Sequence, residues 1–193
     1  MLKKELGLGY RRARQVPIQG NSERCLVLRQ QYSLKMLALL EEGTRIINID
    51  ESWLNETNFT RKIWCPVDAP ATITQQAVTP RLTLIAALDT EGRVYFALTH
   101  ANTDSDVLLA FMKHLMRQLD SEDPDWQEKT VFLLDGARYH TSEDMREYFR
   151  NLQVQVMYSG PYSYAAAPIE MVFGALKRGE LNPERRPSGK RYV

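Results

Sequence analysis

The chain has 193 residues, 44% hydrophobic and 25% charged, a balance that suits one α/β domain with a sizeable core and argues against a second full domain. No apolar stretch approaches the roughly 20 residues that a membrane span needs, and the start MLKKELGLGYRRARQ lacks the apolar segment of a secretory signal, so an intracellular protein is expected. The net charge of +1 hides a division: residues 1–24 and 177–193 each carry six Lys or Arg against two Glu, while residues 25–176 carry −7, so ends suited to phosphate contact flank an acidic body.

Residues 1–20 are polar and close on QVPIQG, a linker signature. A helix follows, capped by Asn21 or Ser22, with Cys25, Leu28, Tyr32, Met36 and Leu39 on one face and Gly43 at its end. RIINID reads as a buried strand ending on acids. Residues 53–80 have the prolines and polar residues of an irregular insertion, with a short strand at KIWC. RLTLIAAL (81–88) and RVYFALT (93–99) form a hairpin across DTEG. Thr103 to Leu119 has helical apolar spacing, and TVFLLD (130–135) is a second buried strand that stops on an acid. Thr141 is placed to cap a helix with Met145, Tyr148, Phe149 and Leu152 inward, and VQVMYS is the last strand. Pro168 opens a final helix in which Ile169, Val172, Phe173 and Leu176 pack inward. This order predicts a five-stranded mixed sheet flanked by helices, three antiparallel strands first and two parallel ones after. Cys25 and Cys65 lack the spacing of a zinc site or a disulfide framework and read as reduced thiols.

Three acids fall at matching places in this order. Asp50 ends the first strand, Asp135 ends the fourth, and Glu170 lies in the first turn of the last helix. If the first and fourth strands are neighbours, both aspartates emerge at one sheet edge. Each acid alone has an ordinary reading, as a turn residue, a cap or a partner of the helix dipole. Together they would repel one another unless cations lay between them, and oxygen-only ligands of this kind suit Mg²⁺ or Mn²⁺.

INIDES, FLLDGARYHTS and GPYSYAAAPIEMVFGALKR resemble the three catalytic blocks of the mariner superfamily of DDE transposases, including the related bacterial insertion-sequence enzymes. The 34 residues between Asp135 and Glu170 match the separation typical of that superfamily. The resemblance covers roughly residues 10 to 180. It implies a ribonuclease H-like fold, with Asp50, Asp135 and Glu170 as catalytic residues and ligands of two Mg²⁺ or Mn²⁺ ions. His140 matches a histidine common in the second block and is expected as an auxiliary group that steadies the site or a phosphate. Two departures stand out: Tyr164, Ala165, Ala166 and Ala167 replace the usual polar approach to Glu170, and Gly136 stands where Asn often follows the second aspartate.

By the same resemblance, the expected function is metal-dependent cleavage of DNA at transposon ends followed by strand transfer into target DNA. The chain would act as a homodimer assembled on DNA, in the cytoplasm or nucleoid of a bacterium or the nucleus of a eukaryote. Arg11, Arg12, Arg14, Lys177 and Arg178 are the expected phosphate contacts. The expected organisation is a basic linker remnant of a DNA-reading region (1–20), the catalytic domain (21–180) and a basic tail (181–193), since GLGYRRARQVP resembles only the last helix and linker of the family's helix-turn-helix region. Two alternatives share the fold: a domesticated scaffold that binds DNA without cutting, and a structure-specific nuclease.

Overall fold

A computed structural model describes residues 18–54, 82–100, 102–163 and 167–177. Residues 11, 12, 14 and 178, Cys65, and the strand expected at KIWC lie outside them, as does part of the 160–167 loop.

After a single 3-10 turn at Ile18–Asn21, Ser22 caps helix α1 (Glu23–Glu41) by accepting from the Cys25 N–H, and Gly43 at φ 69° ends it. The helix buries only a narrow strip, Tyr32 and Leu39 with Met36 beside them. Leu28, expected on that strip, is 39% exposed, because the apolar residues of α1 are spread around its circumference and the sheet covers one side only.

Strands β1 (Arg45–Leu54), β2 (Leu82–Asp89), β3 (Val94–Thr99), β4 (Thr130–Leu134) and β5 (Gln155–Tyr158) form one sheet in the order β3-β2-β1-β4-β5. β1, β2 and β3 are antiparallel, and β4 and β5 run parallel to β1, as the sequence predicts. β1 differs from expectation in length. It continues four residues past Asp50 because β2 pairs with it as far as Leu54, whereas β4 pairs with it only over 45–48. Asp50 and Glu51 therefore lie within the strand, beyond the reach of β4 and still held by β2.

Helices lie on both faces of the sheet, leaving Val94, Phe96 and Leu98 of β3 exposed. Helix α2 (Ser105–Glu122), capped by Asp104, and helix α4 (Glu143–Asn151) pack with the short helix α3 (Trp126–Lys129) over Ile47, Ile49, Ile85, Phe132 and Leu134. The cap of α4 is Ser142, not Thr141. The Thr141 hydroxyl instead donates to the carbonyls of Ala137 and Arg138 in the preceding turn. The opposite face carries α1 over Ile46, Val131, Leu133 and Met157, and helix α5 (Ile169–Lys177) over Leu84 and Ala86. Burying a side chain such as Ile47 or Ile49 completely contributes about 1.5–3 kcal/mol, so the strand that bears Asp50 is firmly anchored on its way to the acid.

Candidate functional site

The parallel register between β1 and β4 ends at Asn48 opposite Leu133. Asp50 and Asp135 each lie two residues further along. Alternation puts Asp50 on the face of Asn48, and Asp135, the first residue past β4, lies close enough for its charge to act on Asp50. The third acid reaches the same place through α5. Asp50 is paired in register with Ala86, Ala86 packs under Ile169, and Glu170 is the next residue. The topology thus brings the three acids to one edge of the sheet.

Their environments differ. Asp50 is half-buried, with Oδ1 accepting from the Glu51 N–H at 2.8 Å. Burial, reinforced by the negative charges of Glu51, Asp135 and Glu170, raises its pKa to about 7. Asp135 goes the other way. Its Oδ1 takes a bond from His140 Nδ1 and another from the Ala137 N–H at 2.9 Å, and the His140 bond holds its carboxyl below the usual range. Glu170 is exposed. Among the described residues no three acidic, imidazole or thiol groups are arranged as a finished ligand set for a metal ion, so the convergence expected from the sequence is one of backbone placement. Asp135 has its positive partner in His140.

His140 is fully buried. Nδ1 meets Asp135 and Nε2 meets Glu51 Oε1 at 3.2 Å, while the Tyr139 hydroxyl donates to Glu51 Oε2 at 2.8 Å. Burial alone would lower the imidazole pKa, but the hydrogen bonds and charges of the two carboxylates raise it to about 9. With both ring nitrogens engaged, His140 can orient Asp135 but has none left for a phosphate. It is a clamp between the turn after β4 and the core face of β1.

Glu51 was not picked out from the sequence as a site residue, although it is adjacent to Asp50. A signal was present. Alternation turns Glu51 toward the apolar side that holds Ile49, and an acid so placed needs a buried donor, which His140 supplies. Lys177 ends α5 and is half-buried.

A family model of the DDE superfamily endonucleases matches residues 45–191, a span that contains all five strands. The chain belongs to that superfamily. Its ribonuclease H-like fold is also that of the Mos1 mariner transposase. The Mos1 paired-end complex with Mn is 24% identical, with a TM-score of 0.68 over 88% of this chain and 53% of that one. A Mos1 paired-end complex with the left transposon end gives 23% identity and 0.70 over 92% and 55%. The Mos1 catalytic domain with Raltegravir and Mg gives 20% and 0.62 over 84% and 73%. The chain spans about half the length of the first Mos1 chains it matches. A comparison with curated protein sequences finds no match.

Proposed function

We propose that this DDE superfamily chain is the catalytic part of a mariner-type DNA transposase, and that Asp50, Asp135 and Glu170 hold the divalent cations of a strand-cleavage and strand-transfer site. The observation that carries the reading is that Asp50 and Asp135 each stand two residues beyond the last pair of the parallel strands β1 and β4, Asp135 just past the end of β4, with Glu170 following Ile169 of α5. The donor set fits Mg²⁺ or Mn²⁺, being all carboxylate oxygen, and Oδ2 of Asp50 and of Asp135 has no hydrogen-bond partner among the described residues. When bound, such ions supply positive charge at the attacking and leaving oxygens of an in-line displacement.

The chain's own groups would do the rest. The β1–β4 pairing fixes the separation of the two aspartates, and His140, held by Glu51, keeps Asp135 Oδ1 occupied so that Oδ2 faces the site. In the first reaction a water oxygen bonds to the phosphorus at the element end, the bond to the 3′ oxygen breaks, and a 3′-OH is left. In the second, that 3′-OH attacks a target phosphodiester and displaces the target's 3′ oxygen. Lys177, Arg178 and the arm bearing Arg11, Arg12 and Arg14 would hold phosphates. Such contacts carry no base information, so neutralising the three arm arginines should lower DNA affinity alike for all sequences and flatten its salt dependence by about 0.9 per charge removed.

The direct test is nicking of supercoiled plasmid. Wild-type protein is expected to nick with Mn²⁺ or Mg²⁺ and not in EDTA, and Asp135→Asn is expected to bind DNA and leave it intact. Equal nicking by that variant would overturn the site. Wild-type protein that binds DNA but never nicks it would favour a non-cutting scaffold.

A further inference from the structure

The sequence leaves α5 without a local cap. The four residues before Ile169 are Ala165, Ala166, Ala167 and Pro168, none with a side chain that could accept a bond from the helix's first amides. The missing acceptor comes from a distant strand. Asn48, 5% exposed within β1, accepts from the Ile169 N–H through Oδ1 at 3.2 Å and donates from Nδ2 to the Leu133 carbonyl at 3.3 Å. One amide therefore joins three elements, each at the approach to an acid. Asn48 stands two residues before Asp50, Leu133 two before Asp135, and Ile169 one before Glu170.

Packing alone does not fix the start of α5. Ile169 and Phe173 hold the helix on the sheet, but an apolar cavity of about 320 Å³, lined by Met36, Leu40, Leu88 and Pro168 among others, lies beside its first residue. Among the described residues, the hydrogen bond to Asn48 is the polar tie that holds the first turn beside this cavity.

We infer that Asn48 is a positioning residue that sets where Glu170 stands relative to Asp50 and Asp135. The inference rests on the proposed role of those three acids. A buried amide with both functions used has little freedom to turn, so it transmits the geometry of the β1–β4 pair to α5. A misplacement of about 1 Å at a reacting centre can cost on the order of a hundredfold in rate, which is the scale of effect expected here.

The test uses Asn48→Leu, close in shape but unable to bond, and Asn48→Asp, which keeps the acceptor for the Ile169 N–H. Asn48→Leu is expected to speed hydrogen exchange at the Ile169 amide on the order of tenfold, as loss of one hydrogen bond implies, and Asn48→Asp to leave it near wild type. In Mn²⁺-dependent nicking, Asn48→Leu should slow cleavage on the order of a hundredfold at unchanged DNA affinity. Added to Glu170→Gln, it should slow cleavage no further, because both changes remove the same contribution. Where the leucine variant does not fold, Asn48→Ala carries the same expectations. Unchanged exchange at Ile169, or a full second loss in the double variant, overturns the inference. Wild-type protein that cuts no DNA removes the reading of the acids instead, and the exchange measurement then decides by itself whether Asn48 anchors α5.

Discussion

The two ends of β1 handle charge in opposite ways. At its start, Arg45 bonds Asp89 at 2.6 Å and Tyr95 at 2.9 Å, Tyr95 donates to Glu122, and Arg93 bonds Glu122 at 3.0 Å. The Asp89 side chain is fully buried and takes two further bonds from the Glu91 and Arg93 amides, so it also fixes the β2–β3 turn. Every acid in that inner network has a cation or a donor. Five residues further on, Asp50 has a backbone donor and no cation among the described residues, and its only carboxylate neighbour with a positive partner is the pair shared through His140. The starting end also borders a cavity of about 550 Å³, lined by Arg45, Arg93, Glu122 and Lys129 among others, and each of its three cations is already paired with an acid. The contrast teaches that size of cleft and richness in charge do not identify a site. A half-buried acid such as Asp50, whose charged neighbours are acids and which has no cation of its own among the described residues, is the better marker.

If the contrast is real, changes at the two ends must separate cation response from stability. The largest effect is expected at the acidic end, where Asp135→Asn should abolish the rise in melting temperature that saturating Mg²⁺ or Mn²⁺ gives wild type, about 5 °C or more, read by scanning calorimetry. The same variant should be less stable without metal. The depressed pKa of Asp135 means that its ionised form stabilises the fold above the ordinary carboxyl pKa, and that contribution would be lost. At the other end, Arg45→Met leaves Asp89 buried and unpaired and should cost about 4 kcal/mol in urea unfolding, with the metal response intact. His140→Leu should cost about 3 kcal/mol, since Glu51 is left buried while half-exposed Asp135 is relieved by solvent, and should weaken the metal response as well. The smallest change is expected for Arg93→Ala, whose solvent-exposed pairs with Glu91 and Glu122 should leave the urea midpoint close to wild type, with no change in metal response. A metal response lost in Arg45→Met would erase the distinction between the two ends.

Much of this was legible from residue patterns. The apolar runs RLTLIAAL, RVYFALT, RIINID and TVFLLD and the turn residues between the first two are enough to give the strands in chain order and their directions, while the adjacency of β1 and β4, on which the approach of Asp50 to Asp135 depends, enters only as a condition. Local signals also placed Glu170, because Pro168 marks a helix start wherever it packs. What stayed hidden depends on pairing between distant segments. The length of β1 past Asp50 is set by β2, which no window around INIDES contains. Asn48 looks like any polar residue on a buried strand until Ile169 is placed above it. The burial of His140 requires Glu51 and Asp135 together. The spread of apolar residues around α1 made its buried face ambiguous, which is why Leu28 was misassigned to it.

The bond between Asn48 and Ile169 joins residues 121 positions apart. During synthesis at about 5–20 residues per second, the strands carrying both aspartates leave the ribosome before the helix that carries the third acid. A nascent chain that has already formed its sheet still lacks Glu170 and the tie that orients it. On the proposed role of the three acids, the site would thus be incomplete until α5 has been made and has docked.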